Sequence, residues 1–252
     1  KIPSKKMKYV RIWVFFISLL GGLQWGLGQQ EERLAISVTD SIGVKEKTPL
    51  SLRFGADLYR IVRSQVSDDF NGFEAVADLR VGEKLFLAIE LGSVESTRQV
   101  EQVNFTTTGD YLKLGFDYNM YENWEGMDNH VTIGLRFASS SHSQFLNNYT
   151  ILDRTRFWPS SDLPISNGYA TGLRPDLNAQ WFEVVVGFKV QLLRNIYMGL
   201  SLRLNRLLND KLPEIYDNIY IPGFNKKTED NIFGAGFNYT LTYSLPLRSR
   251  KK

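Results

Sequence analysis

Cysteine is absent from the 252 residues, which rules out a disulfide framework, a thiolate metal site and a lipid-modified cysteine at a processing point. Histidine is nearly absent. His130 and His142 are the two present, and the strand pattern puts them at the two ends of one strand, so a two-histidine metal centre has no shared location. Neither sign of charge dominates, with 30 Lys and Arg against 27 Asp and Glu. No basic block interleaved with aromatics marks a nucleic-acid partner. The serines from Ser139 to Ser143 surround His142, yet there is no G-x-S-x-G elbow to expose and orient a nucleophile. Beyond the first 28 residues no run is continuously apolar for about 18 residues, the length a membrane-crossing helix requires. The expectation is a chain without catalytic activity, metal or cofactor.

The amino-terminal stretch is more specific. Lys1, Lys5, Lys6, Lys8 and Arg11 precede an apolar run from Ile12 to Leu20, and small residues follow up to Gly28. This order reads as a secretory signal peptide over 1–28. A single uncleaved anchor is the alternative. Residues 29–49 are mixed and polar and read as a periplasmic lead-in.

From Leu50 the hydrophobic period becomes two. Leu50, Leu52, Phe54, Ala56 and Leu58 share one face, with Ser51, Arg53, Gly55, Asp57 and Tyr59 on the other. The same alternation recurs around Phe73 to Val81, Leu85 to Leu91, Leu112 to Met120, Val131 to Phe137, Phe182 to Val190, Ile196 to Leu204 and Phe233 to Leu245. Eight such segments of about 9 to 13 residues suit a tilted bilayer crossing better than an ordinary soluble sheet. Their connections alternate in length. Short turns are expected at 82–84, 121–129 and 192–195, and external loops at 63–69, 95–107, 139–178 and 208–230. The sequence therefore predicts an all-β fold, an eight-stranded antiparallel transmembrane β-barrel over 50–246 with long external loops, followed by a basic tail at 247–252.

The face opposite the apolar one carries Arg53, Asp57, Glu74, Asp78, Arg80, Glu90, Lys113, Asp117, Arg136, Glu183, Lys189 and Arg203. In a narrow lumen these side chains are expected to fill the interior and pair. A periplasmic lipocalin-like carrier is the soluble alternative, with an apolar lumen and the two faces exchanged. The long loops are unusually apolar. They hold Phe157, Trp158, Tyr169, Tyr216, Tyr220 and Phe224, which read either as a self-packed cap, as a partner-binding surface or as the lining of a small-ligand pocket. Asp68, Asp69 and Asn71, and Glu229, Asp230 and Asn231, lack calcium-loop spacing and read as solvated turn acids. Asn104, Asn148 and Asn238 each begin an N-x-Thr triplet, but the third lies within a strand, where the pattern carries no glycan.

The signal segment, the lead-in ending at TPLSLRFGADLYRI, the strand DYLKLGFDYNMY and the terminal FGAGFNYTLTYSLPL together resemble a family of uncharacterised outer-membrane barrels of Bacteroidota, over about Thr48 to Leu247. The resemblance implies an outer-membrane location and fold, and it brings no catalytic motif. Asp40, Ser41 and Ile42 likewise resemble the O-glycosylation signal of exported proteins of that phylum. One departure is the end of the last strand at Leu245 and Pro246, where many outer-membrane barrels finish on an aromatic. The expected function is that of a structural or accessory outer-membrane barrel subunit, with lipid around the wall and envelope proteins at its external loops or rim. A receptor for a small ligand, or a membrane enzyme, is the alternative.

Overall fold

The computed structural model describes residues 50–100, 102–123, 127–150, 171–211, 218, 220–226 and 232–247. Eight strands form a closed antiparallel ring: β1 (Ser51–Asp57), β2 (Phe70–Arg80), β3 (Leu85–Val100), β4 (Val103–Asn119), β5 (His130–Tyr149), β6 (Gly172–Leu193), β7 (Ile196–Asp210) and, after the two-residue strands β8 (Tyr220–Ile221) and β9 (Asn225–Lys226), β10 (Phe233–Pro246). Each of β2 to β6 pairs with its sequence neighbours, β7 pairs with β6 and β10, and β1 closes the ring between β2 and β10. The fold is all-β in the sense that the alternation predicts. Among the described residues no helix is long and apolar enough to cross a membrane.

Alternation maps directly onto the wall. Phe54, Phe73, Leu87, Leu114, Leu135, Val184, Leu202 and Tyr243, one from each strand, are exposed on the outer surface, while Arg53, Glu74, Glu90, Lys113, Arg136, Glu183 and Arg203 are buried inside. Large residues cannot crowd everywhere in so narrow a ring. Gly92 on β3 faces Tyr111 across the β3–β4 ladder, and a Cβ at residue 92 would lie 2.1 Å from the Tyr111 Cζ. The missing side chain lets that ring lie flat across the interior.

Two features depart from the expected boundaries. The first strand stops at Asp57 rather than continuing to Tyr59, because the Asp57 carboxylate accepts a hydrogen bond from the Tyr59 N–H and caps a helix, α1 (Leu58–Val66). Ser64 fastens α1 to β2, its hydroxyl bonded to both the N–H and the carbonyl of Gly72. The second departure concerns the expected loops 95–107 and 139–178, much of which is strand. β3 and β4 stay paired out to Val100 and Val103, and β5 and β6 out to Leu146 and Gly172. In these extensions the outward positions turn mostly polar, with Ser93, Glu95, Thr106, Thr108, Ser139, Ser141, Ser143, Asn178 and Gln180, while Phe145 and Leu173, paired across β5 and β6, are exposed apolar exceptions. The inward positions mix buried polar residues, Ser96, Thr107, Ser140, His142 and Gln144, with large apolar ones. Val94, Phe105, Leu146, Ala179 and Trp181 form a core together with Phe70, Tyr220, Ile221 and Phe224.

Candidate functional site

The interior is built in three tiers from alternate residues of the strands. At the end holding the short turns, Asp78 on β2 pairs with Arg53 on β1 and, at 2.6 Å, with Lys189 on β6. The Arg53 guanidinium lies 4.4 Å from the Phe86 ring centroid. Nearby, Asp128 accepts a hydrogen bond from the Tyr197 hydroxyl at 2.6 Å and lies 3.7 Å from Arg80.

In the middle tier Arg203 bridges two acids. Its two terminal nitrogens meet Glu90 at 2.7 and 3.0 Å, and Nη1 also reaches Glu183 at 2.9 Å. Arg136 approaches Glu90 at 3.2 Å and Asp117 at 2.8 Å, while Lys113 stands 2.8 Å from Glu183. The Trp181 indole N–H donates to Glu183 at 2.7 Å. Charges so deeply buried are tolerated only when paired and hydrogen-bonded, and these strands supply both kinds of partner.

Higher up, Glu74 accepts hydrogen bonds from the Tyr111 hydroxyl and the Asn238 amide, with the Arg60 guanidinium of α1 3.3 Å away. Above this tier the segment around β8 and β9 folds into the ring. The Gln144 amide donates to Asn218 and to the Tyr220 carbonyl, at 2.8 and 3.0 Å, and Phe224 meets Trp181 edge-on at 5.8 Å. Gly223 makes the inward bend at φ +83°, where a Cβ would lie 2.7 Å from the Tyr111 ring.

Free space is correspondingly limited. Between the lower two tiers a gap of about 60 Å³ is bordered by Asp78, Glu90, Arg136, Lys189 and Arg203, enough for a few water molecules and far short of a passage. At the mouth, between α1, the ends of β3 and β4, the start of β10 and Tyr220, lies a cavity of about 370 Å³.

All twelve predicted interior residues lie on the inner side of the ring or at its edge, and Arg53, Asp57, Glu74, Asp78, Glu90, Lys113, Arg136, Glu183 and Arg203 are fully buried. Arg80, Asp117 and Lys189 are half-buried. Tyr220 and Phe224, named as candidate partner contacts, are instead buried in the mouth core and offer no outer surface. Their segment returns into the ring, where Tyr220, Ile221 and Phe224 join the buried apolar cluster. Phe157, Trp158, Tyr169 and Tyr216 lie outside the described residues, as do the expected signal segment and lead-in over 1–49 and the acids Glu229, Asp230 and Asn231. His130 and His142 are not brought together: the first lies beside Asp128, the second 3.3 Å from Asn218. Among the described residues no three metal-binding side chains cluster. Sequence reasoning missed Arg60 because α1 was read as strand and loop. The Asp57 cap was the local signal.

Outside the strands, Lys84 and Glu122 join two short turns at 2.8 Å. Their hydrogen bond and opposite charges raise the Lys84 amine above its ordinary value and lower the Glu122 carboxyl.

Residues 9–250 match the model of a family described as a domain of unknown function, DUF6048, and the chain belongs to that family. A comparison with curated proteins finds no match.

Proposed function

We propose that this DUF6048 protein is a transmembrane barrel of an outer membrane, closed to diffusion, that serves as a structural or accessory subunit of an envelope protein assembly. The observation carrying the membrane reading is the outer surface. Exposed large apolar side chains encircle all eight strands and together expose on the order of 2,000 Å² of apolar area, against about 300–600 Å² in the largest patch of a typical soluble monomer. The belt also has an edge: on β5 the outward series runs Ile133, Leu135, Phe137 and then Ser139, Ser141, Ser143, before a single Phe145 near the strand's end. A soluble carrier would carry polar residues around the whole exterior, and its lumen would be apolar throughout.

The filled interior supports a non-porous role, since three tiers of ion pairs occupy the space a channel would need. The polar-faced extensions of β3 to β6 favour protein contact beyond the lipid. They add a second surface to the loops, one that is stiff and rich in hydroxyl and amide groups, as in the Thr97–Thr106 pair at 2.9 Å. The resemblance to outer-membrane barrels of Bacteroidota and the signal-like segment at 1–28 agree with this location. Crosslinking and mass spectrometry on gently extracted native membranes test the assembly role. Reproducible crosslinks from Glu95, Thr108 or Ser141, substituted by cysteine for attachment, to the same envelope proteins are expected. Exclusively intramolecular products would refute the accessory role.

A further inference from the structure

The mouth cavity differs from the tiers below it. Arg60, Arg63, Arg98, Lys113 and Arg203 border it, and among the described residues no Asp or Glu does. Three of these cations are neutralised by acids beneath the cavity: Arg60 by Asp57 and Glu74, Lys113 by Glu183, and Arg203 by Glu90 and Glu183. Among the described residues, Arg63 and Arg98 are not. Among the described residues neither has a carboxylate oxygen within 4.0 Å.

Both guanidinium groups are nevertheless held in place. Arg63 lies 4.0 Å from the centroid of the Phe70 ring and Arg98 lies 5.1 Å from that of Tyr220; Arg98 is further fixed by a 3.1 Å hydrogen bond from its Nε to Ser96. Stacking on a ring face orients a guanidinium while leaving N–H groups at its edge to receive an oxyanion in a forked geometry. A second observation points to an occupant. Tyr220, only 2% exposed, borders the cavity with its hydroxyl unpartnered among the described residues, and so does the equally buried Asn205 with its Oδ1. Buried polar atoms of this kind are costly unless something bonds to them. The volume of about 370 Å³ suits a small molecule rather than a peptide segment.

The cavity also stands at a break in the wall. β1 pairs with β2 only as far as Ala75 and with β10 only as far as Thr240. Beyond those points α1 fills the interval, its Tyr59 ring packed at a tilt against Phe237 of β10, centroids 4.5 Å apart, and Ala235 to Asn238 line the cavity from that side.

We propose that this cavity binds a small oxyanion, a phosphate or carboxylate group, through Arg63 and Arg98, with the Tyr220 hydroxyl donating to the same ligand and Asn205 accepting from a ligand hydroxyl. The same group arrives either on a soluble molecule through the mouth or on a lipid headgroup beside α1. The full chain in phosphatidylcholine nanodiscs, titrated calorimetrically with inorganic phosphate and with phenyl phosphate, tests the first source; retention of phosphatidic acid, read by native mass spectrometry from mixed nanodiscs, tests the second. Saturable one-to-one binding by either route is expected, weakened about tenfold or more in R63Q/R98Q and progressively by added salt, while K84Q behaves as wild type. Binding of free phosphate identifies a soluble ligand, and retention of phosphatidic acid alone identifies a lipid. Should the double variant fail to fold, R63Q and R98Q separately are expected to weaken binding several-fold each. No saturable binding of any probe, or folded single variants that bind like wild type, would overturn the proposal.

Discussion

Replacing Arg203 by methionine removes the cation that ties β3 to β6 through the middle of the interior. Glu90 loses two hydrogen bonds, at 2.7 and 3.0 Å, and Glu183 loses one at 2.9 Å. Neither acid is left bare, because Arg136 remains beside Glu90 and Lys113 beside Glu183. Breaking a buried pair from one side costs about 3–5 kcal/mol, and the surviving partners place Arg203→Met near the lower end, at about 3 kcal/mol. The assay is equilibrium urea unfolding in lipid, followed by tryptophan emission and by the shift in gel mobility between folded and unfolded barrels. Combining Arg203→Met with Glu183→Gln removes one of the stranded charges. The double variant is therefore expected to recover at least about 1 kcal/mol relative to the sum of the single effects. An Arg203→Met protein within about 0.5 kcal/mol of wild type would refute the claim that these ion pairs are mutually dependent.

Further expectations concern other parts of the ring. Gly92→Val drives the Tyr111 ring away from its place over β3 and strips Glu74 of a donor; a loss of about 2–3 kcal/mol is expected by urea titration, with Tyr111→Phe costing somewhat less. Planar bilayers containing the purified chain are expected to show no stable large conductance, and a persistent open channel free of contaminating porins would contradict the filled interior. Glu122→Gln removes a fully exposed partner of Lys84. The folded carboxyl is held low, so any stabilisation by that pair exists above the ordinary carboxylate range and is lost as pH falls through the lowered value. At pH 7 the variant is expected to melt with wild type in calorimetry, since exposed pairs contribute little.

Much of the ring was legible from period-two alternation because one contrast, apolar side chains outside and charge inside, governs every strand at that depth. The strand extensions were not. Past Leu91, Phe137 and Phe182 the outer face turns mostly to Ser, Thr, Asn and Gln, while the inner face sets Val94, Phe105 and Trp181 among buried polar residues; neither face stays of one kind, and such a stretch reads as loop. α1 escaped because Leu58 satisfies both the outward row of β1 and the first turn of a helix, and only the Asp57 cap distinguishes them. The twelve interior charges followed from the alternation itself. Their partners did not, since pairs such as Lys189–Asp78 and Arg203–Glu90 join strands far apart in sequence and depend on how the ring closes. The mouth cavity was equally illegible: Arg63, Arg98 and Tyr220 come from three separated elements.

A single-cysteine series along the outer face of β5 tests the membrane assignment most directly, because the chain has no cysteine of its own. Spin labels placed at Ile133, Leu135, Phe137, Ser139, Ser141 and Ser143 in reconstituted bilayers are read by their relaxation with oxygen, which partitions into lipid, and with a water-soluble nickel chelate. Oxygen-dominated relaxation is expected from Ile133 to Phe137 and chelate-dominated relaxation from Ser139 to Ser143. Chelate access throughout the six positions would contradict a transmembrane barrel.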